Sequence, residues 1–278
     1  MHTDPNRFRR HRYHAGPAFK GIAGLLGMLA TLCHGTPVAD AAPTVDYTAG
    51  HADIALTYDA SAPSFALNYT FYTSAVPTSL RNTTRPPAEI LTVVPDNQSG
   101  SSSTSALRPP GSEWDFIGVA AGQRFWFLPA SNKTAVPYLG VSAEGLGSTS
   151  NWQGPNPPIL FSIVGVTQKP LPTSVVSAWD FGNAGGALRV LWSTATDPWT
   201  NAMSPFVGSH SHYNIGFTDQ GLYEVELQAS GTRADGMLVI SPPARYFFEV
   251  VPEPAGLAAA GIGLVALAAL RQRRRSPR

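Results

Sequence analysis

The sequence predicts an all-β protein, an antiparallel sandwich flanked by a processing segment at each end, and three observations carry that expectation. Between positions 43 and 250 no stretch shows helical periodicity, while short runs rich in β-branched and aromatic residues recur between turn clusters. Residues 222–230 alternate cleanly, with Tyr223, Val225, Leu227 and Ala229 on one face and Glu224, Glu226, Gln228 and Ser230 on the other. That is the pattern of an antiparallel strand with one wet face. Asp219-Gln-Gly221-Leu-Tyr223 has the D-x-G-x-Y spacing of a tyrosine corner, which points to a Greek-key, immunoglobulin-like arrangement.

Composition agrees with a turn-rich, structured chain. The 278 residues include 26 Gly and 25 Pro, about 18% against roughly 12% in an average protein.

The N-terminal segment, residues 1–41, reads as a secretory signal with a signal helix. Arg7, Arg9, Arg10, Arg12 and Lys20 precede an apolar run at 21–32, and Ala39-Asp-Ala41 supplies the small residues of a cleavage site. The only cysteine, Cys33, lies in this segment, with Leu32 before it where lipoprotein processing needs a small residue. The body therefore has no disulfide, thiol nucleophile or thiolate metal site.

The body, residues 42–250, is expected to form strands at 51–58, 65–72, 89–94, 124–128, 159–166, 187–192, 210–217, 222–230 and 245–250. The run Ser99-Gly-Ser-Ser-Ser-Thr-Ser105, followed by Pro109-Pro110, reads as a flexible polar insertion. It makes residues 95–113 either a loop or a boundary between subdomains. Trp126 and Trp192 sit in apolar strands and are expected in the core; Trp152 and Trp199 sit in loops, either as binding faces or as buried anchors.

The C-terminal segment, residues 251–278, opens on Val251-Pro252-Glu253-Pro254. An apolar run at 255–270 follows, and then Arg271, Arg273, Arg274 and Arg275. At ~1.5 Å per residue the run reaches about 24 Å, enough for a short transmembrane helix that leaves the arginines cytoplasmic and the body outside. This tail resembles the PEP-CTERM sorting signal of Gram-negative bacteria, with Pro252, Glu253 and Pro254 matching the motif. The resemblance implies a membrane-bound exosortase as partner, besides signal peptidase, and a transient stay in the inner membrane.

Charge excludes one class of function. Residues 43–250 carry nine basic and fifteen acidic side chains, a net of minus six, and the basic clusters lie at the two ends. No nucleic-acid partner is expected, because phosphate neutralisation needs Lys and Arg grouped on a folded surface.

Four of the seven histidines, His2, His11, His14 and His34, leave with the signal, so the mature body keeps His51, His210 and His212. Residues two apart on a strand share a face, so His210 and His212 stand side by side, with Tyr213, Ile215 and Phe217 on the opposite, apolar face. His51 and Asp53 share a face in the same way, opposite Ile54, Leu56 and Tyr58. Three converging imidazoles suit zinc or another borderline divalent metal, with a carboxylate or water completing the shell. The alternative is that the H-x-H pair decorates a solvated face and His51 is unrelated to it.

Residues 50–236 resemble the choice-of-anchor M domain of bacterial surface proteins, on four blocks. These are Gly50-His-Ala-Asp-Ile-Ala55; Phe116-Ile-Gly118 through Phe125-Trp-Phe-Leu-Pro129 to Leu139-Gly140 and Glu144; His210-Ser-His-Tyr-Asn214 with Phe217; and Gly221-Leu-Tyr223 running to Ala234-Asp-Gly236. In that family the H-x-H element runs on through Asn and Trp to Phe; here Ile215 stands at the Trp position. Some members sit beside metal-uptake transporters, so the resemblance implies surface location and a metal-related role.

Enzyme motifs are scarce. Gly140-Val-Ser-Ala-Glu144 lacks the second glycine of a nucleophile elbow. The expectation is an exported, non-catalytic surface or extracellular matrix protein with a ligand-binding sandwich, with extracellular polysaccharide as a further partner. The alternative is a secreted hydrolase acting on polysaccharide through a carboxylate pair or a metal-bound water.

Overall fold

The computed structural model describes residues 42–98, 102–133, 135–154, 157–182, 186–195 and 202–252. The signal segment with Ala39 and Ala41, the motif residues Glu253 and Pro254, the apolar run 255–270 and Trp199 lie outside the described residues, whereas Pro252 is exposed just after the last strand. No helix among the described residues is long and apolar enough to cross a membrane.

The chain opens with β1 (Val45–Tyr47), β2 (Gly50–Asp59), β3 (Ser64–Phe71), β4 (Thr84–Arg85) and β5 (Ile90–Pro95). Then come β6 (Ser105–Leu107), β7 (Arg124–Leu128), β8 (Pro137–Ser142), β9 (Leu160–Gln168) and β10 (Val176–Asp180). It closes with β11 (Arg189–Ser193), β12 (His210–His212), β13 (Asn214–Phe217), β14 (Gly221–Thr232), β15 (Leu238–Ile240) and β16 (Ala244–Val251).

Three sheets result. The first has the order β1-β5-β16-β14-β15, with β9 also paired to β14; the second is β11-β10-β13-β7-β6; the third is β12-β8-β2-β3-β4. They pack in a sandwich-like way around one apolar cluster to which all three contribute. Tyr69 of the third sheet meets Tyr246 of the first edge-on at 5.1 Å, and Phe217 of the second meets Tyr223 and Phe248 of the first at 5.0 and 5.4 Å. Each such side chain, removed from water, contributes about 1.5–3 kcal/mol.

The alternation in β14 does what it predicts: Tyr223, Val225, Leu227 and Ala229 are all buried. The tyrosine corner forms as well, with the Tyr223 hydroxyl donating to the Asp219 carbonyl and accepting from the Asp219 amide, both at 2.9 Å.

Wholly antiparallel pairing does not hold. β1 with β5, β5 with β16 and β2 with β8 are parallel. Parallel neighbours need a long crossover, and here the intervening chain supplies it by building parts of the other sheets. The strand expected at 210–217 is likewise two strands: β12 pairs with β8 in the third sheet, and β13 with β10 and β7 in the second. The chain changes sheet at buried Tyr213, and Asn214 pins the corner, its Oδ1 accepting from the Ala130 amide (3.1 Å) and its Nδ2 donating to the Trp179 carbonyl (3.3 Å).

The described part of the polar insertion is tied down rather than loose. The Thr104 hydroxyl bonds to the Pro95 carbonyl, the Thr104 amide donates to the Asn97 carbonyl at 2.9 Å, and Ser105–Leu107 adds β6 to the edge of the second sheet. Trp152 is a buried anchor, 3% exposed, and Trp192 is buried as expected, while Trp126 is half-buried against the core.

Candidate metal centre

The third sheet brings the histidines together by register. On β2, His51 lies opposite Tyr138 of β8 and Asp53 opposite Gly140; across β8, Gly140 faces His212 and Ser142 faces His210 of β12. On the other side of β2, Tyr72 follows β3, and its amide donates to the His51 carbonyl at 3.1 Å. All these side chains project from one face of the sheet, because strand residues two apart share a face. The apolar partners Ala52, Ile54 and Leu56 fill the core from the other. Chain entry into β2 requires a glycine: Gly50 has φ +85°, and a Cβ there would lie 2.0 Å from the Ser74 carbonyl oxygen.

The predicted trio converges. His51, His210 and His212 each offer a ring nitrogen within 4.8 Å of the others, and their ring centroids lie 5.0–5.7 Å apart. Ligands about 2.1 Å from a shared ion are at most ~4.2 Å apart, so the trio stands in or near coordination range. Two phenols hold the imidazoles in place: Tyr72 stacks on His51 at 4.1 Å and Tyr138 on His212 at 3.6 Å.

Five residues join the histidines that spacing alone did not single out as a set: Asp53, Glu144, Tyr72, Tyr138 and Gly140. Asp53 is fully buried, and Tyr72 donates to its Oδ2 at 2.9 Å. Its Oδ1 lies 3.4 Å from His51 Nε2 and 3.9 Å from His212 Nε2, within ion-pair range, yet neither contact has hydrogen-bond geometry. Glu144, in the turn after β8, bonds through Oε1 to His210 Nδ1 at 2.8 Å. Glu144, His210 and Asp53 make a second grouping with metal-ligand separations.

The electrostatics follow from burial. Burial pushes the His212 imidazole down to about 4, helped by the neighbouring His51 and His210, against the upward pull of Asp53 and the Leu139 backbone. Its ring is therefore neutral at pH 7, with a lone pair free to bind a cation. The bond to Glu144 raises His210. For Asp53 burial works upward, but the adjacent His51 imidazole, the hydrogen bond from Tyr72 and the charges of His51 and His212 outweigh it and hold the carboxyl below its usual range.

A pH dependence results for the metal-free protein. Between the ordinary 6.5 and about 4, an unfolded His212 takes up a proton that the folded one refuses. The contribution of this group to stability is complete above 6.5 and is lost as the pH falls toward 4, on the order of 3 kcal/mol. Urea unfolding of wild type at pH 7 and pH 4.5 should show this drop, and His212→Gln should flatten it; parallel slopes in the two proteins would contradict the assignment.

Gly140 is the vacancy that makes room for the cluster. A Cβ there would stand 2.3 Å from Asp53 Oδ1 and 2.8 Å from His212 Cε1. Gly140→Ala removes no donor, yet it should weaken zinc binding at least ~10-fold and cost about 1–3 kcal/mol of stability through overpacking. Zinc titration and denaturant unfolding measure the two effects, and unchanged affinity would show that the strands part without disturbing the donors.

Comparison of the chain with protein-family models, with curated proteins and with solved structures finds no match.

Proposed function

We propose that the chain is an exported, envelope-sorted, non-catalytic surface or extracellular matrix protein whose immunoglobulin-like, Greek-key sandwich binds one divalent metal ion, zinc by preference, through His51, His210 and His212. One observation carries the metal reading: buried ring nitrogens of His51 and His212 with no hydrogen-bond partner converge, with His210, on one point of one sheet face. Buried polar atoms are almost always satisfied, and a borderline cation is the ligand that satisfies several imidazole nitrogens at once. Glu144 on His210 Nδ1 is the kind of carboxylate contact that fixes the orientation of a metal-binding imidazole.

Export and sorting rest on the basic-apolar-small order of residues 1–41 and on the Pro252-Glu253-Pro254 tail. The surface role rests on the four blocks shared with choice-of-anchor M domains, and the Greek-key topology on the Asp219–Tyr223 corner. Zinc measured on the full-length chain, purified in detergent, should approach one ion per protein and fall to background in His210→Ala/His212→Ala. Equal, negligible zinc in both would remove the site. Recovery of an uncut, soluble cytosolic species from expressing cells would remove the export reading.

A further inference from the structure

Resting on that metal reading, we infer that Asp53 is the fourth ligand, so that three imidazoles and one carboxylate close a tetrahedral shell that holds zinc and leaves no position for a reacting water. The two oxygens of this buried carboxylate have different fates. Tyr72 occupies Oδ2 with a hydrogen bond of 2.9 Å, while Oδ1 is buried without a partner and faces His51 Nε2 at 3.4 Å and His212 Nε2 at 3.9 Å.

Tetrahedral ligands 2.0–2.2 Å from zinc stand about 3.3–3.6 Å apart. The first separation already has that value and the second approaches it. An oxygen that merely oriented an imidazole would take the N–H of one ring in hydrogen-bond geometry; this one faces two rings at once, at 3.4 and 3.9 Å, with that geometry to neither. With Oδ2 engaged by Tyr72, Asp53 can offer only one oxygen, as a monodentate ligand does.

The absence of a side chain at Gly140 supplies the space in which Oδ1 and His212 meet. His210, the most exposed of the four, brings its second nitrogen from the rim, with its Nδ1 bonded to Glu144. Closed four-donor shells belong to zinc that is held, whereas catalytic zinc keeps one position open. The site therefore stores or structurally uses its ion, and metal-assisted hydrolysis is not its chemistry.

Cobalt(II) placed in the full-length protein reports the shell. Wild type should give the intense visible bands of four-coordinate cobalt, unchanged by azide, which adds to open positions. Asp53→Asn, close in size, should bind zinc more than ~100-fold more weakly, beyond the range of an outer-shell change, and its cobalt spectrum should become azide-sensitive. An azide-sensitive wild-type spectrum overturns the inference without any variant. Asp53→Asn with wild-type affinity and spectrum overturns it too while leaving metal binding intact. Failure of wild type to take up either metal overturns the reading beneath it.

Discussion

Replacing His212 by Ala is expected to abolish zinc-induced stabilisation. At zinc a hundredfold above the wild-type dissociation constant, binding to the folded state adds about 2.7 kcal/mol, or roughly 5–10 °C in Tm for a body of this size. Loss of a buried nitrogen ligand should raise the dissociation constant ~1000-fold or more, an effect larger than the 10- to 100-fold seen for outer-shell changes. At the same zinc concentration the variant then gains less than about 0.1 kcal/mol. His212 is the sharpest choice because it is only 7% exposed and both its ring nitrogens lack hydrogen-bond partners, whereas His210 stands 36% exposed at the rim. Thermal melts with and without zinc measure the effect. A wild-type-sized shift in the variant would mean that the ion binds elsewhere.

Trp152→Ala should lower stability by about 3–5 kcal/mol, the usual cost of emptying a buried aromatic site. The indole stacks on Phe65 at 5.2 Å, meets Tyr58 edge-on at 5.4 Å and lies over Gly231, where an added Cβ would come within 3.4 Å of its ring. Its Nε1 donates to the Leu146 carbonyl at 3.5 Å, so even the polar handle of this loop residue is spent inside. Denaturant unfolding reads the loss. A cost below about 1 kcal/mol would return Trp152 to the surface and to the binding role that its loop position also allowed.

These two residues show where the sequence was informative. The period-2 pattern of β14 and the corner at Asp219 depend on neighbours along the chain, and both are legible without coordinates. The pairing of His210 with His212 is local in the same sense. Their meeting with His51 is not, because it depends on β8, whose Pro137 and Gly140 weaken any reading as a strand.

Once β8 is placed between β2 and β12, Gly140 is explained by the two side chains that crowd it, and Glu144 follows by chain continuity. Asp53 was visible as a same-face neighbour of His51, but its burial depends on Tyr72 and His212, which arrive from other strands. The break at Tyr213 was hidden for a similar reason. A strand that changes sheet keeps its alternation of apolar and polar residues, so the pattern runs on while the hydrogen-bond partners change.

The last strand leads directly into the C-terminal segment. β16 is flanked along its length, by β5 from Phe247 to Val251 and by β14 from Gly221 to Leu227. Tension applied at Pro252 runs along the strand axis, across rungs on both sides that share the load together instead of opening one by one. A body tethered by this end would withstand drag as a lap joint does.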